Sequence, residues 1–123
     1  MSYQPVIAYN QPATPLRTPR AAEYEIIAKV TSQLSLAHQR QSVNRPALLD
    51  ALLRNERLWS TFAADVAEAE NPLPPLLKAR IVYLFRFTVE HSQRIREETG
   101  DAGVLIDINR AVMKGLRGEG SDT

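Results

Sequence analysis

Cysteine is missing from this 123-residue chain. Disulfides, thiolate metal sites and a cysteine nucleophile are thereby excluded. The only histidines are His38 and His91, and no acidic cluster accompanies them, so no metal site is expected. Glycine is scarce, and none of it forms a phosphate-cradling loop. The serines show no nucleophile-elbow pattern. The acidic groups fall mostly on predicted solvent faces instead of converging, as acid–base catalysis requires. An enzyme is not expected, nor any cofactor. The net charge of +1 lacks the basic excess of dedicated nucleic-acid binders, which argues against RNA as a partner. No apolar run nears the roughly 20 residues that span a bilayer, so no membrane insertion is expected. The N-terminus has no apolar h-region, and a cysteine-free chain suits a reducing compartment.

What is present is helix pattern. The length suits one small domain that can bury a core without staples. Residues 1–17 are rich in Pro, Gln and Ala, with Pro5, Pro12 and Pro15 and no periodicity. They read as a flexible arm, although Tyr3, Val6, Ile7 and Tyr9 offer groups that could dock on a groove. The helical domain is expected over 18–118, followed by a disordered tail over 119–123.

A first helix should open at Thr18-Pro19, a good cap followed by a favoured first-turn proline. Ile26, Ile27, Val30, Leu34 and Ala37 give it an inward stripe, and it should fray near Gln41. A second should start near Pro46, capped by Asn44, and run to about Glu70. Its stripe is Leu48, Leu49, Leu52, Leu53, Trp59, Phe62 and Val66. Asn71-Pro72-Leu73-Pro74 stops it, because residues before proline are pushed out of the helical region. A third should run from Pro75 to Thr99, with Gly100 as a left-handed cap. A fourth should span about Ala102 to Leu116, with Leu105, Ile108, Val112, Met113 and Leu116 inward. There is no strand signal and no internal repeat. The fold class that follows is all-α, a small bundle of about four helices.

Three polar residues fall on predicted apolar faces: Asn55, His91 and Asn109. A buried amide without a partner costs on the order of 1–3 kcal/mol, so each should be bonded. They read either as a polar layer that sets helix register or as ties on loops and helix ends. Trp59 continues the stripe of helix two and reads as core. Asp65, on the flank of that helix, could pair with Arg80.

The third helix has two apolar sides. One stripe is Leu77, Ile81, Leu84, Thr88 and Ile95. Val82, Tyr83 and Phe87 lie on the other side, with Arg86 beside them. A helix apolar nearly all round is either central or has a face for a partner. Val82, Tyr83, Arg86 and Phe87 are therefore the candidate partner-binding residues. On this reading, Tyr83→Asp or Phe87→Glu should weaken binding and leave helicity intact.

These residues resemble a known family, the FlaF flagellar biosynthesis regulators of alphaproteobacteria. The likeness runs from about Tyr9 to Leu116. It rests on Pro19-Arg20, then Leu52, Asn55, Leu58-Trp59 and Asp65. Asn71, Leu73-Pro74, Arg80, Ile81 and His91 follow, with Ile106-Asp107-Ile108-Asn109 and Met113, Gly115-Leu116 at the end. The long Pro/Gln arm and Lys78 depart from the family pattern. The resemblance implies a small cytoplasmic helical protein needed for flagellin production and export. It implies flagellin as partner, in the manner of a secretion chaperone, and FlbT, a post-transcriptional repressor of flagellin synthesis, as a second candidate. The alternative is a regulator acting through FlbT or flagellin mRNA. A homodimer built on the extra apolar face is a third reading.

Overall fold

The computed structural model describes residues 19–116. The expected arm, the Thr18 cap and the tail lie outside them. Four helices fill the described chain: α1 Pro19–Gln39, α2 Arg45–Ala67, α3 Pro75–Arg96 and α4 Gly103–Leu116. The all-α bundle is as the sequence implies. α2 is the hub between two neighbours. It packs on α1 and on α3, while α4 lies mainly along α1.

The turns explain the order. Asn44 caps α2, its Oδ1 accepting from the Ala47 N–H at 3.2 Å. α2 ends at Ala67, short of Glu70, because Glu68 leaves the helical region. Asn71 closes this end: its Nδ2 donates to the Asp65 carbonyl at 3.2 Å and to the Asp65 carboxylate at 3.3 Å. Its own Oδ1 accepts from the Leu73 N–H at 3.0 Å. The expected Asp65–Arg80 pair is not formed, since Asp65 is bonded within its own helix end.

The end of α3 also differs from expectation. It stops at Arg96, and the left-handed residue is Glu98, with φ of 64°, not Gly100. The Thr99 N–H reaches the Arg94 carbonyl at 2.8 Å, and the Glu98 N–H reaches that of Ile95 at 3.0 Å. This is a Schellman motif with glutamate where glycine is usual. Gly100 serves close approach instead: a Cβ there would lie 3.0 Å from the Cβ of Arg94.

The core joins all four helices. Leu34 of α1, Leu48 and Leu52 of α2 and Leu105 of α4 are fully buried, with Ile95 and Ile106 beside them. Ile26, expected inward, is 52% exposed. The buried stripe of α1 is Ile27, Thr31, Leu34 and Ala37 instead. It is rotated so that a threonine, not Val30, faces the bundle interior. Leu49 and Leu53 of α2 also face outward, and Leu58 takes an inward place. Leu77, expected inward, is 43% exposed.

Candidate functional site

Two features set this bundle apart from a bland helical core: a buried polar network and an uncovered helix face. The network centres on Asn109 of α4. Its Oδ1 accepts from the Trp59 indole N–H at 3.0 Å. Its Nδ2 donates to Asn55 Oδ1 at 2.8 Å and to Thr31 Oγ1 at 3.0 Å. One side chain thus ties α4 to both α1 and α2. Trp59 is buried as expected, and Phe62 meets it edge-on at 5.6 Å.

His91 does not join this layer. It is half-buried, its ring stacks on Phe87 at 5.4 Å, and its Nε2 is 2.8 Å from the Asp101 carbonyl. Near the end of α3 the ring reaches the α3–α4 loop more readily than the bundle axis. Of the three polar residues, then, Asn55 and Asn109 meet, and His91 ties a loop.

α3 is bound to α2 in an unusual way. Its buried residues are Thr88, Ser92 and Ile95. The hydroxyls of Thr88 and Ser92, and Nδ2 of Asn55, have no hydrogen-bond partner among the described residues. The C-terminal end is clamped by charge. Arg45 donates to the carbonyls of Ile95 at 2.8 Å and Arg96 at 3.4 Å. Arg96 forms a two-pronged pair with Glu56, one arm at 3.2 Å. The hydrogen bond to Glu56 holds the Arg96 guanidinium above its ordinary pKa, and partial burial opposes this. None of Thr31, Arg45, Glu56, Ser92 or Arg96 stood out in the sequence. Thr31 was legible as the turn between Ile27 and Leu34. The clamp residues lie far apart in sequence and carry no local signal.

The opposite side of α3 is open. Tyr83 and Leu76 are highly exposed, Arg86 is exposed, and Val82 is half-buried. Phe87 sits at the margin: it is half-buried and packs against the core. Of the four candidate partner-binding residues, Tyr83 and Arg86 are thus exposed, Val82 is half-buried, and Phe87 serves the fold. Among the described residues no group of three His, Asp or Glu side chains comes together to hold a metal. A concavity of about 330 Å³ lies elsewhere, between α1 and the start of α2. Polar side chains such as Gln33, Arg40, Asp50 and Arg54 line much of it.

The family model described as flagellar protein FlaF matches residues 6–116, nearly the whole chain. The chain belongs to the FlaF family. It is a flagellar protein, and the match takes in both the Asn109 network and the outer face of α3. The match also begins at residue 6, so it includes much of the Pro/Gln segment that the sequence set apart as a departure from FlaF. No curated protein and no solved structure gives a significant match. No helix among the described residues is long and apolar enough to cross a membrane.

Proposed function

We infer that this FlaF-family chain binds flagellin in the cytoplasm as a secretion chaperone, and so promotes flagellin production and export. One observation carries the reading. Leu76 and Tyr83 are 69% and 67% exposed on a helix whose fully buried residues are only Thr88, Ser92 and Ile95. A helix that turns leucine and tyrosine to water, and gives threonine and serine two of its three buried places, has an apolar face suited to a second partner. Flagellin before export has amphipathic terminal helices whose assembly partners are absent. Laying such a helix along α3 removes apolar area from water on both sides, at about 25 cal/mol per Å².

The test is calorimetry of the full chain against unassembled flagellin. Leu76→Asp and Tyr83→Asp should each weaken binding with helicity unchanged by circular dichroism. Wild-type affinity in both variants would remove this face from the reading. Phe87→Glu is a poor probe, because Phe87 also packs against the core.

A further inference from the structure

We propose that the outer face of α3 selects its helical partner by charge, taking an amphipathic helix whose apolar stripe is bordered by acidic residues. The inference rests on the flagellin reading for the partner's name and on the structure for its chemistry. From Asn71 to Val89 the chain has three basic residues, Lys78, Arg80 and Arg86, and no acidic one. The side chains of all three make no hydrogen bond or ion pair with another described residue. Elsewhere Arg54 pairs with Asp50, Arg96 with Glu56 and Arg45 with helix-end carbonyls, while Arg40, Arg57, Arg94 and Arg110 also lack a side-chain bond to a described residue; what sets Arg80 and Arg86 apart is their place beside exposed apolar groups.

The placement is regular. Arg80 lies three residues before Tyr83 and Arg86 three after it, so the two cations flank the ring on the helix surface. Leu76, Arg80, Tyr83 and Phe87 follow one another at four, three and four residues, one stripe of the helix. Arg80 and Arg86 are exposed beside exposed Tyr83, and Leu76 extends the apolar track. A partner helix that seats apolar groups on Leu76 and Tyr83 brings its flanking residues to the guanidinium groups. Glutamate or aspartate there gains two charge-assisted bonds, and lysine or arginine there meets repulsion.

An aromatic ring between two arginines also suits single-stranded RNA. The exposed Leu76 and Leu77 on the same helix, and a chain charge of only +1, favour the protein helix.

The experiment uses the full chain and three probes by fluorescence anisotropy. Two are synthetic amphipathic peptides with the same leucine stripe, one flanked by glutamate and one by lysine. The third is a single-stranded RNA oligonucleotide. The glutamate peptide should bind about tenfold or more tightly than the lysine peptide. The double variant Arg80→Glu with Arg86→Glu should reverse that order. Equal binding of both peptides, or an order unmoved by the double variant, overturns the proposal. RNA binding tighter than either peptide, with a steep salt dependence, overturns it too. A parallel titration of unassembled flagellin separates the two levels. If the peptides discriminate and flagellin does not bind, the chemistry stands and flagellin is the wrong partner. If flagellin binds and the peptides do not discriminate, flagellin stands and charge selection falls.

Discussion

The Trp59 indole donates to Asn109 Oδ1 at 3.0 Å, buried between α2 and α4. These residues are 50 positions apart, and Asn109 also donates to Asn55 of α2 at 2.8 Å, although α4 packs mainly on α1. The bond is therefore a long-range register mark. It places α4 at one height relative to α2, and Asn109 fixes that height on α1 as well through Thr31.

Asn109→Leu should strip three partners at once and leave the Trp59 N–H and the Asn55 carbonyl buried without bonds. A loss of about 2–5 kcal/mol is expected. Urea denaturation followed by the fluorescence of Trp59, the chain's only tryptophan, measures it directly. Asn55→Leu should cost less, because Asn109 keeps Thr31 and Trp59. Comparable losses from the two variants would show that Asn109 is not the centre of the network.

Thr88→Val and Ser92→Ala should be neutral or stabilising. Both hydroxyls are buried and make no hydrogen bond with a described residue. Removing such a group leaves nothing stranded, and the isosteric methyl keeps the packing of threonine. A gain of about 0.5–1 kcal/mol in each variant is the expected result by chemical denaturation. A loss above about 1 kcal/mol would mean that these hydroxyls are bonded in solution.

Glu98→Gly should stabilise the chain by about 1 kcal/mol. Glu98 holds a φ of 64°, which costs a residue with a Cβ about 1–2 kcal/mol and glycine almost nothing. Gly100→Ala should act in the opposite direction, because its Cβ would meet Arg94 at 3.0 Å. Thermal unfolding of the two variants checks both signs.

The sequence held the helices more securely than their facing. Four helical segments, the Asn44 cap and the burial of Trp59 and Asn109 all follow from spacing and cap chemistry. The errors are at edges. Ile26 and Ile27 are adjacent, and periodicity alone puts both inward; only Ile27 is buried, on the same face as Thr31, which meets Asn109. Gly100 drew the left-handed cap because glycine usually takes it, yet the hydrogen bonds put Glu98 there. His91 was grouped with the asparagines by its spacing on α3, but its long ring reaches sideways to Asp101. The open face of α3 was visible in the sequence as apolar residues on two sides. That one of them, Phe87, closes back on the core was not, because that depends on how α3 rests on the rest of the bundle.

That double role yields the last prediction, which separates fold from binding on adjacent turns of one helix. Phe87 is half-buried, packs against the core and stacks on His91 at 5.4 Å. Tyr83, one turn earlier, is 67% exposed. Phe87→Ala should therefore cost stability, about 1–3 kcal/mol for a ring half removed from water and an aromatic neighbour lost. Tyr83→Ala should change stability by no more than about 0.5 kcal/mol, the usual range for a surface substitution. In calorimetry against unassembled flagellin the ranking should change: Tyr83→Ala weakens binding at full stability. If Tyr83→Ala destabilises the free chain as much as Phe87→Ala does, Tyr83 belongs to the fold and the partner surface must lie elsewhere.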